Sequence, residues 1–411
     1  NRNIFGSAGI SLIASNLFDM PDTIDFLKFS GNFAQVGTEV GTYSLNPSYG
    51  ISSRTYSSKP LQFVPSSPIS SGISVAKSNS LELGMNISLL DSKITLDATY
   101  YDEDRKDEII GADLPSSTGA NSLVTNSGLV NRKGIELVLG LKPVVTEDFN
   151  WNLSVNFADN TTKVVRIADG LDSYALSTSS FSFVTLTNRV GEEWGQLVGA
   201  KRNVDAQGRY ILNSSGTYTS TPGTSLGSVL PEFTGGVFNS ISYKDLTLNA
   251  TFTFQSGGKF FSLTENWGTY SGLTINTVGN NDKGNPLRDD VADGGGVHVT
   301  GVTSDGTAVD TYLGAVTYFN QQYSNRLADP FIHDASYFKL SEVSLSYNIP
   351  IKANKYFKSA RVGVIAKNIW LIATSSENYH NWDPSQFANS YGENGQLPGT
   401  RSIGANIKLT F

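Results

Sequence analysis

The sequence contains no cysteine and only three histidines, His298, His333 and His380, among its 411 residues. The absence of thiols excludes disulfide scaffolds, cysteine nucleophiles and thiolate metal sites. Three histidines are also few for a histidine-based catalytic or zinc centre. Charged residues make up 16% of the chain, and 37 acidic against 30 basic residues give a net charge of −7. Nucleic acid binds to a basic face, so we exclude it as a partner.

The chain has no run of 18 apolar residues, so no transmembrane helix is predicted. Residues 1–6 lack the charged segment and apolar core of a signal peptide. We therefore expect either export without such a peptide or a chain that begins partway through a longer precursor. Glycine (40), phenylalanine (22) and tyrosine (18) are plentiful. This composition is typical of neither a disordered chain nor a long-helix protein, and it predicts an all-β fold.

Alternation of apolar and polar residues is the strongest pattern in the sequence. Apolar side chains occupy every second position from 81 to 89 and again from 94 to 100, and a polar turn at 91–92 separates the two runs. Such a pair predicts a β-hairpin. Similar runs recur at 135–139, 151–157, 246–254 and 403–411. The polar partners are mostly serine, threonine, asparagine and glycine, which suits the wet interior of a wide barrel, although alternation alone also fits a soluble sandwich.

The lengths of the loops distinguish these two folds. We predict eleven strands at 6–15, 25–38, 79–90, 93–105, 130–141, 150–160, 232–243, 245–256, 336–349, 359–372 and 399–411. Short connections at 16–24, 91–92, 142–149, 244 and 350–358 alternate with long ones at 39–78, 106–129, 161–231, 257–335 and 373–398. Long structureless loops are uncommon in compact soluble domains. Short periplasmic turns and long extracellular loops are typical of outer-membrane barrels, so we predict a transmembrane antiparallel β-barrel.

The number of strands suggests that part of the barrel is missing from this chain. Bacterial single-chain barrels have an even number of strands, whereas eleven are predicted here. If the last strand ends in the periplasm, every short connection lies on the periplasmic side. We therefore interpret residues 1–411 as the C-terminal part of a barrel whose first strands lie upstream. The stretch 161–231 could hold an additional extracellular hairpin.

Two local patterns are consistent with strands that cross a membrane. Phe338 and Leu340 are out of phase with Val343 and Leu345, which predicts a β-bulge at 341–342. Without it, a charge such as that of Glu342 would face lipid at a cost of about 2–4 kcal/mol. Aromatic residues near the predicted strand ends are typical of interfacial girdles, although strands favour aromatics in general. These residues are Tyr100, Tyr101, Trp151, Tyr243, Tyr347, Trp370 and Phe411.

Several blocks of the sequence resemble the barrel of SusC/RagA-type TonB-dependent transporters from Bacteroidetes outer membranes. They are LELGMNISLLDSKITLDATYYDEDRKDEI (81–109), NSGLVNRKGIELVLGLKP (126–143), FNWNLSVNFADNTTKV (149–164), VGEEWGQLVGAKRNVDAQGRY (190–210), LPEFTGGVFNSISYKDLTLNATFTFQSGGKFF (230–261), ASYFKLSEVSLSYNIP (335–350) and PGTRSIGANIKLTF (398–411). They follow the order of the family and span most of the chain. The resemblance implies a 22-stranded barrel that is plugged by an N-terminal domain, with the plug and the first strands outside these residues.

The resemblance also implies a function and a set of partners. Members of the family import oligosaccharides or peptides across the outer membrane. A SusD-like surface lipoprotein presents the ligand, and TonB pulls on the plug through the N-terminal part. The upstream half of the barrel and outer-membrane lipid would be the remaining partners, and no cofactor is implied. Phe411 corresponds to the aromatic end of the family's assembly signal.

Ligand contacts are expected in the extracellular loops. Trp267 and Tyr270 in one loop, and Tyr379 and Trp382 in another, could stack on sugar rings or peptide side chains, or could pack within the loops or against the lipoprotein. Asp289, Asp290 and Asp293, followed by three glycines, are a weak candidate for Ca²⁺ binding. Their spacing does not match an EF-hand, and a solvated acidic loop is the alternative.

The sequence shows no acid–base constellation of the kind that an enzyme needs, so we predict no enzymatic activity. The function we predict is TonB-dependent nutrient import. The alternative is a secreted all-β binding or adhesion module, which would carry charges on its solvent face and show no loop asymmetry.

Overall fold

The computed structural model describes residues 4–38, 46, 48–114, 116–168, 170–350 and 358–411. Its main feature is an eleven-stranded sheet in which each strand pairs antiparallel with the next. The strands are β1 (Ser7–Ile13), β2 (Ile24–Thr38), β3 (Ala76–Leu89), β4 (Ile94–Asp113), β5 (Ser122–Val145), β6 (Phe149–Arg166), β7 (Phe233–Tyr243), β8 (Leu246–Ser256), β9 (Tyr337–Ile349), β10 (Ser359–Thr374) and β11 (Ser402–Thr410). β1 and β11 form the two edges of the sheet.

All eleven predicted strands are confirmed, and the largest differences concern β4 and β5. Both strands extend well beyond the predicted ends at 105 and 130, and they stay paired as far as Asp113 and Ser122. The prediction stopped where the apolar alternation stops. Backbone hydrogen bonds between the two strands do not need that alternation once the hairpin has left the membrane.

The two faces of the sheet have opposite character. Leu83, Tyr100 and Ile135 lie side by side in register and therefore point to the same face. Leu83 is 50% exposed, Leu248 is 38% exposed and Ile407 is 73% exposed, so the apolar side chains are not packed between two layers. The other face carries the small polar residues. The loops fold over that polar face, because Lys339 of β9, which lies on it, contacts Asp383 of the loop after β10.

The outer limit of the apolar face follows a diagonal across the strands. The last apolar residues on this face are Leu81, Tyr100, Ile135 and Phe157, and the next residues outward are Asn79, Asp102, Lys133 and Asp159. Residues paired across strands, such as Leu81 and Asp102, thus lie on opposite sides of the limit, as strand tilt requires. From Leu81 to Leu89 the strand runs about 27 Å, which suits a tilted crossing of an apolar band of about 25 Å.

The predicted β-bulge is confirmed at Ser341. Thr251 pairs with Glu342 and Phe252 pairs with Leu340, so Ser341 has no partner of its own on β8. The extra residue keeps Phe338 and Leu340 on the apolar face together with Leu345. It also turns Glu342 to the polar face, where the carboxylate lies 3.3 Å from the ammonium group of Lys367.

The aromatic residues are arranged largely as a girdle would require. Tyr243 and Tyr347 flank Leu246 in register at the end of the sheet near the short turns. Trp370 lies on the apolar face near the opposite end, and it is 58% exposed. The prediction for Tyr101 was wrong. Because neighbours in a strand point to opposite faces, Tyr101 points to the polar face, where it lies beneath the guanidinium of Arg132.

The long loops are folded rather than structureless. They contain further strands at Gly50–Tyr56, Lys59–Phe63, Ser173–Thr178, Val184–Arg189, Gln196–Arg202, Ser220–Ser228, Lys259–Ser262, Val297–Val302, Ala308–Leu313, Ile332–Asp334 and Gly392–Glu393. Helices are α1 (Ala14–Leu17), α2 (Leu263–Tyr270) and α3 (Ala315–Ser324), with 3-10 turns at Ser116–Thr118, Ser180–Ser182, Ile275–Thr277, Val291–Asp293, Asp329–Phe331 and Pro384–Gln386. No helix in the described ranges is long and apolar enough to span a bilayer.

The buried core lies among these loop elements. Phe183, Leu186, Leu197, Phe261 and Phe331 form one buried cluster. The segment 161–231 contributes a four-stranded sheet to it rather than a single hairpin. The loops therefore form an ordered domain at the outer end of the sheet, which we call the loop domain.

Candidate functional site

Helix α2 positions two of the predicted ligand-binding aromatics. The helix begins after Ser262, whose hydroxyl accepts a hydrogen bond from the backbone N–H of Glu265 at 3.2 Å, as an N-cap residue does. Trp267 lies 4.5 Å from Phe181, measured between ring centroids, and Tyr270 stacks on Tyr323 at 4.6 Å. Both rings are partly exposed, so each retains surface for a ligand.

Trp267 and Tyr270 do not line the same hollow. Trp267 lines an apolar hollow of about 400 Å³ that also includes Leu273. Tyr270 lines a second hollow of about 410 Å³, which includes Arg288 and Asp289. The sequence placed both residues in one extracellular loop, and the structure places them three positions apart on one helix. The helix lies between the two hollows.

Trp382 belongs to a third hollow, of about 320 Å³, which we call the wall cleft. Its walls are Ile369 and Leu371 of β10, the loop residues His380, Trp382 and Phe387, and Arg401 just before β11. Tyr379 lies outside this cleft and packs against His333 with its ring centroid at 5.4 Å. Thus the predicted loop pair Tyr379 and Trp382 is also divided between two environments.

A buried polar cluster that no sequence motif predicts lies beside the wall cleft. Glu265, with 1% exposure, contacts Nε2 of His333 at 2.5 Å through one oxygen, and its other oxygen lies 3.6 Å from Nε2 of His380. Glu393 accepts hydrogen bonds from Ser262, Thr264 and Gly395. These partners are as much as 131 residues apart in sequence, so no local motif identifies them.

Further charged contacts hold the loop after β10 against the loop domain. The ammonium of Lys259 lies 2.7 Å from Glu377 and 3.5 Å from Asp334. Burial favours a higher pKa for Asp334, but hydrogen bonds from Ser336 and the charge of Lys259 outweigh it and hold the pKa below its usual value. Burial also opposes the charge of Lys259, but Glu377 and Asp334 raise its pKa overall. The contacts therefore persist at neutral pH.

Lys339 and Asp383 form the contact that joins the loop to the wall. The Lys339 side chain is 4% exposed, and its ammonium donates to Asp383 at 2.6 Å and to Ser385 at 3.0 Å. Removing one partner of a buried ion pair leaves the other desolvated. We expect Lys339→Met to destabilise the loop 375–398 by about 2 kcal/mol, so that its amide hydrogens exchange roughly 30-fold faster.

Lys367→Met is the matched control for this prediction. Lys367 pairs with Glu342 at 3.3 Å, but its side chain is 59% exposed. Exposed pairs contribute less than about 1 kcal/mol, so hydrogen exchange in loop 375–398 should hardly change. Equal exchange rates in the two variants would contradict the role assigned to Lys339.

Asp289, Asp290 and Asp293 do not converge on a common point. In the described ranges, no group of three or more acidic or histidine side chains is placed to hold a metal ion. The glycines that follow serve a tight turn: Gly294 and Gly296 have φ values of 88° and 85°, and a Cβ on Gly295 would lie 2.2 Å from the carbonyl oxygen of Asp289. The Ca²⁺ suggestion receives no support from this geometry.

Comparisons with known proteins agree with the fold. Residues 24–251 match the family described as "TonB dependent receptor-like, beta-barrel". TonB-dependent receptor P3 of Formosa agariphila is 24% identical over 364 residues, which cover 81% of this chain and 34% of that protein. TonB-dependent receptor SusC of Bacteroides thetaiotaomicron is 23% identical over 283 residues, or 66% of this chain and 26% of SusC. The chain thus spans about a third or less of these relatives.

A solved structure also has a similar fold. The RagAB peptide transporter matches with a TM-score of 0.72 and 19% identity, over 99% of this chain and 43% of the matched chain. The predicted family resemblance and the predicted outer-membrane location are therefore confirmed, in a family of receptors and transporters rather than enzymes. The chain belongs to the TonB-dependent receptor-like β-barrel family of the outer membrane.

Proposed function

We propose that the protein containing this chain imports nutrient oligomers, either glycans or peptides, across the outer membrane with energy delivered by TonB. The observation that supports the proposal most strongly is the arrangement of the sheet. One face is apolar and exposed, whereas the polar face is covered at one end by a loop domain with aromatic-lined hollows. Such a wall has lipid on one side and a wet lumen on the other, with ligand contacts at the outer entrance.

Two relatives favour the importer over the adhesin. SusC is named a TonB-dependent receptor, and RagAB is described as a peptide transporter. For this chain, the substrate stays open between glycan and peptide. The rival proposal of a secreted binding module would require the exposed apolar face to be covered in some other way.

The partners follow from the same surfaces. The edge strands β1 and β11 would pair with the upstream half of the barrel, and TonB would act through parts outside this chain. A SusD-like lipoprotein would contact the loop domain, which exposes Leu273, Ile275 and Val316 by 77% or more. Phe411, at the end of β11 and 71% exposed, is the proposed assembly signal.

Uptake by whole cells tests this function. Cells that lack the gene should lose uptake of a fluorescent oligomer, and the restored gene should return it. Removal of TonB should abolish uptake while the protein stays in the outer-membrane fraction. Uptake that persists without TonB, or recovery of the protein from the medium, would contradict the proposal.

Aromatic stacking in the hollows gives a prediction for affinity. A stacked aromatic contact contributes about 1 kcal/mol, so Trp267→Ala and Trp382→Ala should each weaken ligand binding about fivefold, measured by calorimetry on the detergent-solubilised protein. Trp370→Ala is the control, because Trp370 lies on the lipid-facing side. A loss of affinity in the control as large as in the other two would show that the hollows are not the binding surface.

A further inference from the structure

We propose that the wall cleft binds a carboxylate group of the ligand, with the guanidinium of Arg401 as its cationic partner and the indole N–H of Trp382 as a second donor. The inference rests on the proposed import function and names the ligand chemistry at one of its hollows. Four features of the cleft support it.

The cleft lies on the lumen side of the wall. Leu371, which lines it, pairs with Lys339 of β9, and the Lys339 side chain reaches the loop that covers the polar face. Ile369, Leu371 and Phe387 provide apolar surface beside the polar groups. A ligand entering from the outer side would therefore meet both an apolar wall and a set of hydrogen-bond donors.

The carboxylates of the cleft are already satisfied by the protein. Asp383 accepts from Lys339 at 2.6 Å and from the backbone N–H and hydroxyl of Ser385 at 3.1 and 2.6 Å. Glu393 accepts at both oxygens from Ser262, Thr264 and Gly395. Neither carboxylate lies within ion-pair distance of Arg401. The acidic groups therefore need no donor from the ligand and form no ion pair with Arg401.

Arg401 and Trp382 carry donors of the cleft that have no partner within the described residues. Arg401 is exposed and has no carboxylate within 4.0 Å among them. The indole nitrogen of Trp382 is buried and has no acceptor in the same part of the chain. By contrast, the indole N–H of Trp151 donates to Asn239 at 2.6 Å. A buried donor without an acceptor is costly. The indole N–H of Trp382 would therefore be stabilised by an acceptor that a ligand supplies.

The cleft also contains the imidazole of His380. Its Nε2 is buried and has no hydrogen-bond partner within the described residues, and a carboxylate oxygen of Glu265 lies 3.6 Å from it. What the cleft offers to a ligand is thus the guanidinium of Arg401, the indole N–H of Trp382 and a ring nitrogen of His380, beside apolar walls. A planar guanidinium matches a carboxylate with two parallel hydrogen bonds, so a carboxylate fits these donors better than a neutral hydroxyl does.

Two classes of nutrient oligomer carry such a group. A peptide has a carboxylate at its C-terminus, and an acidic glycan has one on each uronic acid. A neutral glycan has none. The same chemistry would recognise either acidic ligand, and matched pairs of ligands distinguish the two sources.

The test measures binding to the full protein, extracted from outer membranes in detergent, by calorimetry. One pair of probes is a short peptide with a free C-terminus and the same peptide with a C-terminal amide. The other pair is an oligogalacturonate and its methyl ester. In at least one pair, the free acid should bind about tenfold more tightly, and raised salt should reduce the difference.

Variants connect this preference to the cleft. Arg401→Ala should remove the preference for the free acid, Arg401→Lys should keep part of it, and Trp382→Phe should weaken binding of the acid a few-fold. Arg54→Ala, which changes an exposed arginine on a separate hairpin, should leave the preference intact. Folding of each variant is checked by heat-dependent mobility on gels.

Equal affinity for both members of each pair, or a preference that survives in Arg401→Ala, would overturn the carboxylate site. That result would leave the import function standing, because TonB-dependent uptake by cells is measured separately and requires no acidic ligand. Conversely, a failure of the uptake experiment would contradict the import function, whatever the result at Arg401.

Discussion

Replacement of Met85 by lysine should prevent most of the protein from reaching its folded form in the outer membrane. Met85 is the middle one of five apolar residues on β3, and it pairs with Phe29 and Ala98 on the lipid-facing side. A lysine at mid-depth in the bilayer costs about 2–4 kcal/mol. A loss of that size is a large fraction of the stability of a typical domain. The folded fraction is measured by heat-dependent gel mobility of isolated outer membranes.

Asn86→Lys is the matched control, since it introduces the same side chain one residue along the same strand. Asn86 points to the polar face, where its amide contacts Asp97. A lysine there would have water and a carboxylate within reach, so folding should change little. If the two variants fold equally well, or if Asn86→Lys is the worse one, the assignment of the two faces is wrong.

Deletion of Ser341 should be at least as damaging. The bulge at Ser341 keeps the residues on either side of it in phase with β8. Without it, one part of β9 would have to turn over, because a slip of one residue moves every side chain to the opposite face. Either Glu342 would face lipid, or Phe338 and Leu340 would face the lumen. We expect almost no folded protein in the outer membrane.

Two controls separate register from composition. Ser341→Ala keeps the bulge and removes only the hydroxyl contact with Thr253 at 2.7 Å, so it should fold nearly normally. Deletion of Gly306, in the turn between the strands Val297–Val302 and Ala308–Leu313, shortens the loop domain but not the wall. Normal folding of the Ser341 deletion would show that the phase of β9 is not fixed by lipid.

The sheet could be predicted from sequence because one physical constraint acts along every strand. Lipid on one face and water on the other produce alternation that is visible without any partner, as at Leu81–Leu89. The same constraint revealed the bulge, since Phe338 and Val343 cannot share a face without an extra residue. The predicted strand ends are inaccurate where this constraint no longer acts, because β4 and β5 continue beyond the membrane through backbone pairing alone.

The site was harder to predict for a related reason. Exposed aromatics such as Trp267 and Trp382 could be identified by residue type, but their grouping depends on loop packing. Glu265 meets His333 across 68 residues and Glu393 meets Ser262 across 131. No spacing rule connects such positions. The sequence does not distinguish Arg401 from other arginines. Only the contacts of the neighbouring charged groups show that its guanidinium has no carboxylate partner among the described residues.

The proposed function depends above all on which side chains of the wall face lipid. The sequence contains no cysteine, so single cysteines can be introduced and spin-labelled in an otherwise cysteine-free protein. The positions are Leu83, Leu248 and Ile407 on one face, and Glu82, Asn249 and Asn406 on the other. The measurement is the accessibility of each label to oxygen, which dissolves in lipid, and to a water-soluble nickel chelate. We expect labels of the first set to be relaxed by oxygen and shielded from nickel, with the reverse for the second set. Labels at Leu83 and Leu248 that are shielded from both reagents, as within a packed core, would contradict the proposed function.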